Sequence, residues 1–132
     1  MALQFSAAVR NAMLDAIETT IGTSAVLKIR TGAPPASVAT ADSGTVLATL
    51  TLPSDWMAAA SAGSKAKSGT WEDASADAAG TAAHYRIYAS DGTTAHLQGT
   101  VTATGGGGDL TVDNVVFAAG QSFTVTSYSW TA

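Results

Sequence analysis

The chain has 132 residues, of which 46% are hydrophobic and only 12% charged, with a net charge of −4 and no cysteine. That is enough for one domain with a single modest core, and it excludes disulfides and thiolate metal sites. The six basic residues, Arg10, Lys28, Arg30, Lys65, Lys67 and Arg86, are scattered, whereas a nucleic-acid surface needs them clustered, so no nucleic-acid partner is expected.

The apolar share is chiefly alanine and the polar share chiefly Thr, Ser and Gly, a mixture that suits pleated strands joined by short turns. Residues 1–5 lack a basic region ahead of a long apolar core, so no export signal is expected. No apolar run approaches the ~20 residues needed to span a bilayer, so no membrane partner is expected.

Residues 6–21 form the one predicted helix. Ser6 suits the N-cap, because its hydroxyl can accept from a free N–H of the first turn. Val9, Met13, Ile17 and Ile21 recur at near-helical spacing, with Ala12 and Ala16 beside them. Arg10, Asp15, Glu18 and Thr19 fall elsewhere on the wheel. Gly22 ends the helix. One apolar stripe serves either to seal the core or to dock on a neighbouring subunit. Residues 1–22 are therefore expected to be a core cap or docking arm, and residues 23–132 the β domain.

Residues 25–31 alternate as a strand with one solvated face, until Gly32-Ala33-Pro34-Pro35 breaks it. Residues 36–44 are small and polar and read as an exposed loop. A second strand, 45–52, ends at Pro53, and Trp56 beyond it is expected to plug the core. Residues 58–80 resemble a loop, with an edge strand expected within 64–71 because lysines suit an exposed edge. Glu72, Asp73 and Asp77 form an acidic patch.

The clearest signal is a hairpin over 82–104. Tyr85 and Ile87 alternate with His84, Arg86 and Tyr88, which predicts a buried face and a face in water. Ser90-Asp91-Gly92 supplies the turn. Gly105 to Gly108 reads as a flexible turn, followed by two strands, 110–118 and 121–130. The expected fold is mainly β, a single β-sandwich of jelly-roll or Ig-like topology with one N-terminal amphipathic helix.

Chemical motifs are absent. His84 and His96 fall on the polar face of the hairpin, one per arm, but without metal-ligand spacing or a neighbouring carboxylate. No nucleophile elbow and no P-loop ending occur. Asp73, Asp77 and Asp109 are ordinary turn aspartates unless loops gather them around calcium. No catalytic residue, cofactor or metal is expected. Tyr88, Tyr128 and Trp130 sit on outer-phase positions, where they either stack on a sugar or protein partner or lie beneath a second cover, the helix or a long loop.

The segments Val9-Arg10-Asn11-Ala12-Met13-Leu14-Asp15-Ala16-Ile17-Glu18, Thr45-Val46-Leu47-Ala48-Thr49-Leu50-Thr51-Leu52-Pro53-Ser54-Asp55-Trp56 and Gly69-Thr70-Trp71, with Arg86-Ile87-Tyr88 and the glycine run, resemble small structural proteins of tailed-phage and prophage virions. The resemblance implies a non-enzymatic virion component assembled in the host bacterial cytoplasm, first of all a capsid decoration or cement protein. It would form homo-oligomers and bind other virion proteins such as the major capsid or tail proteins. The expected interface is Val9, Met13, Ile17, Ile21, Tyr88, Tyr128 and Trp130. Alternatives are a tail, collar or fibre-associated protein contacting the host surface, and a carbohydrate-binding module taking a host surface glycan.

Overall fold

A computed structural model describes residues 3–132; Met1 and Ala2, at the head of the expected 1–22 arm, lie outside the described residues. The helix α1 spans Ala7–Ile21, with Ser6 as its N-cap accepting from the Val9 N–H. Strands β1 (Val26–Arg30), β2 (Val46–Thr51), β3 (Ser64–Ala66), β4 (Trp71–Asp73), β5 (Gly80–Thr81) and β6 (His84–Tyr88) follow. The remaining strands are β7 (Ala95–Ala103), β8 (Leu110–Val112), β9 (Val116–Phe117), β10 (Phe123–Val125) and β11 (Ser129–Thr131). The fold is mainly β with one N-terminal helix.

Five strands make one sheet in the order β2-β1-β6-β7-β8, antiparallel except for the parallel pair β7–β8. Its register sets Leu50, Leu27, Ile87 and Leu97 in one row, and Ala48, Ile29, Tyr85 and Gly99 in the next. Paired residues share a face, so these rows form the inner surface. Gly99 is needed there, because a Cβ would lie 2.8 Å from the Tyr85 hydroxyl.

The parallel return from β7 to β8 takes only residues 104–109, where about a dozen or more is usual. The glycine run makes this possible through close approach. A Cβ on Gly106 or on Gly108 would meet the Thr102 hydroxyl at 2.8 Å, and Thr102 Oγ1 accepts from the Gly108 N–H at 2.9 Å. The run is thus a fitted turn rather than a loose one.

Residues 64–81 and 116–131 form a second, interrupted ribbon. β3 pairs with β11, β4 with β10 and β5 with β9, all antiparallel, and the pairing slips by one residue at each interruption. The two long C-terminal strands expected from the sequence are therefore four short ones. Between them Asn114 turns its side chain onto the Val116 N–H, and periodicity is lost wherever the ribbon slips.

The ribbon closes over the inner face of the sheet through aromatic side chains. Tyr85 meets Tyr128 edge-on at 5.7 Å between centroids, Tyr128 meets Trp71 at 5.5 Å, and Trp71 meets Trp56 at 6.0 Å. Trp56 is fully buried, as expected, and its indole N–H donates to the Gly22 carbonyl at 2.9 Å, tying the helix end to the core. Each such ring pair contributes roughly 1 kcal/mol beyond its area.

The other face of the sheet corrects the expectation of solvated alternation. Arg30, His84, Arg86 and Tyr88 are all buried. Residues 31–45, of which 36–44 were read as an exposed loop, cover them. Asp42 accepts from Arg30 Nη2 at 3.1 Å, from Arg86 Nη1 at 2.8 Å and from the Tyr88 hydroxyl at 2.8 Å. Arg86 Nη2 also donates to the carbonyls of Ser37 and Thr40, and its Nε to Gln98 Oε1. Gln98 donates in turn to the Pro35 carbonyl at 2.8 Å, and His84 Nδ1 lies 2.7 Å from the Gly32 carbonyl. Buried cations persist only when paired in this way.

Burial works against the ionisation of Asp42, but the Tyr88 hydroxyl and the two guanidinium groups outweigh it and hold its carboxyl below the ordinary value. A carboxyl depressed in the folded state stabilises fully above its unfolded value, about 3.9, and loses that contribution as pH falls through the folded value. Asp42→Asn leaves two buried cations without a counter-charge and should cost about 3 kcal/mol at neutral pH. Urea denaturation should show this loss, and the gap between wild type and variant should shrink as pH drops from 5 towards 2 (approximate limits set by that carboxylate range).

Candidate functional site

Seven residues were expected at an interface, four on the helix and three on the strands, and the structure places them in different surroundings. Val9 and Met13 are exposed, at 44% and 47%, whereas Ile17 is half-buried and Ile21 buried. Tyr88 lies under the 31–45 cover, Tyr128 is buried in the aromatic cluster, and Trp130 is half-buried beside it. Tyr88 is therefore on the opposite side of the sheet from Tyr128 and Trp130, and the three do not form one platform. Its outer-phase position is explained by the second cover, a long loop.

The helix mounting is the main departure from its periodicity. Three of its polar residues, which lie off the apolar stripe, face the body. Asn11 Oδ1 accepts from the Gly63 N–H at 2.9 Å, Asp15 Oδ1 from the Ala60 N–H at 3.2 Å, and Glu18 Oε2 from the Met57 N–H at 3.2 Å. Spacings of four and three residues put these acceptors on one stripe. Lys65 of β3, expected on an exposed edge, is buried instead, with its ammonium 2.6 Å from Asp15 and 2.9 Å from Glu18. Burial works to lower the Lys65 pKa, but the bonds to Asp15 and Glu18 outweigh it and raise the value above the ordinary one. Leu14 and Ile21 supply the buried apolar contacts.

This mounting leaves the N-terminal half of the apolar stripe outside. Leu3 (83% exposed) and Phe5 (49%) precede Val9 and Met13, so among the described residues four of the five exposed large hydrophobic ones fall on or just before the helix. Leu3 and Phe5 escaped the sequence-based interface; their signal was two apolar residues set directly ahead of an N-cap. Met13 also borders a groove with Ala16, Ile17 and His96. These exposed side chains, gathered near one end of the helix, make it the candidate interaction surface.

The chemical candidates are dispersed. His84 is buried, whereas His96 is exposed near the opposite end of the hairpin, so the two are not brought together. Asp73 and Asp77 do meet, both accepting from Thr49, but Asp109 is occupied by Thr100 on β7. Among the described residues, no three His, Asp or Glu side chains cluster as a metal site. Burial raises the phenol pKa of Tyr85, Tyr88 and Tyr128 above the ordinary value; Tyr85 and Tyr128 share a 2.7 Å hydrogen bond. No described helix is long and apolar enough to cross a membrane. Comparison with protein-family models, with curated proteins and with solved structures returned no match.

Lys65 is the cation that joins helix to body. Lys65→Ala should leave the Glu18 carboxylate half-enclosed without its partner and destabilise the fold by roughly 3 kcal/mol. Thermal unfolding followed by circular dichroism measures this, and equal melting temperatures would show that the seam does not hold the helix.

Proposed function

We propose that this chain is a non-enzymatic structural subunit that docks on neighbouring proteins through the exposed half of α1, as a decoration or cement protein of a tailed-phage virion. One observation carries this: the helix is fastened to its own body by polar acceptors and Lys65, while Leu3, Phe5, Val9 and Met13 face outwards. A helix fixed in place loses little further freedom on docking, so its apolar face binds at low entropic cost. Symmetric repetition multiplies such small contacts.

The resemblance of residues 9–18 and 45–56 to phage and prophage virion components supplies the setting: assembly in the host cytoplasm into homo-oligomers and onto other virion proteins. The rigid body behind the helix is a β-sandwich in this proposal, its layers the five-stranded sheet and the interrupted ribbon. Packing of Tyr85 on Tyr128 across the layers supports that description.

Val9→Asp and Met13→Asp should abolish association while leaving melting within a few degrees of wild type, because exposed substitutions cost about 0.5 kcal/mol or less. Light scattering at several concentrations reads the mass. Association unaffected by either variant would overturn the helix as the docking face.

A further inference from the structure

A second surface, independent of α1, lies along the edge of β7. On one side β7 is paired by β6, but on the other β8 covers only Val101 to Ala103. The Val101 N–H points to Ala83 on the β6 side, and the Thr100 N–H points away, to Asp109 Oδ2 at 3.0 Å. Strand alternation then turns the Gln98 N–H and carbonyl outwards as well. Among the described residues no strand pairs with this edge over residues 95–99.

Across a cleft stands β11, which among the described residues pairs only with β3. The Tyr128 carbonyl and the Ala132 N–H both turn to the β3 side, so the backbone groups of Ser129 and Thr131 turn the other way. Half-buried Leu97 and Trp130 line the cleft, and exposed Asp109 stands at it. Two facing strand edges present alternating donors and acceptors, the pattern that an extended backbone satisfies.

Charge selects the occupant. Arg30, Lys65 and Arg86 are buried in ion pairs, leaving Arg10, Lys28 and Lys67 against an acidic surface. A second copy would bring the same acidic surface to Asp109. We propose that the cleft between β7 and β11 takes an extended basic segment of a different protein, which adds as a strand to the β7 edge and sets a Lys or Arg against Asp109.

The probe is the peptide acetyl-Lys-Val-Thr-Val-Lys-Val-amide, titrated into the isotope-labelled full chain and followed by NMR. The Gln98, Ser129 and Thr131 amides should shift, and Gln98 amide exchange should slow about tenfold on saturation. Asp109→Asn, which keeps an acceptor for Thr100, should weaken the peptide about tenfold. Replacing both peptide lysines by glutamate, or methylating alternate backbone nitrogens, should remove the shifts.

Shifts located elsewhere, no shifts at all, or equal shifts from the acidic or methylated peptide would overturn the proposal. These peptide comparisons use the native chain and hold even if Asp109→Asn fails to fold. Protection of Gln98 that rises with protein concentration, without peptide, would assign the edge to a second copy and overturn it too.

Discussion

Two guanidinium groups lie buried on one face of a sheet, and a single carboxylate, Asp42, touches both. A buried cation without a counter-charge costs several kcal/mol, so the strand sequence Val26–Arg30 and His84–Tyr88 is tolerable only with residues 31–45 in place. Val38 and two prolines are the largest apolar side chains of that segment, too little to hold it down by burial. It is held by its own backbone carbonyls, at Gly32, Pro35, Ser37, Thr40 and Gly44, each accepting from a side chain of the sheet. The sheet thereby becomes covered on both faces, with its buried guanidinium groups on the outer one.

On that inner face the aromatic cluster does the joining. Tyr85 belongs to the sheet, Trp71 and Tyr128 to the ribbon, and Trp56 to the corner that meets the helix end. Sheet, ribbon and helix thus share one core. The helix is accordingly packed onto that core, although its outer half is apolar.

Much of this was legible in the sequence where a local rule decides the outcome. Ser6 and Gly22 bound the helix because capping is a matter of a few neighbouring residues. Trp56 was legible as core because its area leaves few other places for it. The cover over Arg86 was not legible: alternation tells which side a residue faces, not whether something lies above it. The acceptors there are mostly backbone carbonyls, which every residue carries, so they leave no mark in the sequence. The helix mounting was hidden for a related reason. Periodicity located an apolar stripe, but Asn11, Asp15 and Glu18 win the body-facing position by binding the Met57, Ala60 and Gly63 N–H groups and Lys65. Those partners are distant in the chain. The ribbon strands are too short, and slip too often, for a period of two to show.

The outward apolar run from Leu3 to Met13 gives the chain its proposed role, and the residue that reports on it most directly is Met13. Its side chain is exposed, whereas Met57 is buried and serves as an internal reference. The decisive measurement is peroxide oxidation of Met13 and Met57, read by mass spectrometry, in dilute and in associated protein. Docking through α1 predicts that Met13 is oxidised readily when the chain is dispersed and is protected on association, while Met57 stays slow throughout. Equal oxidation of Met13 in the two states would contradict it.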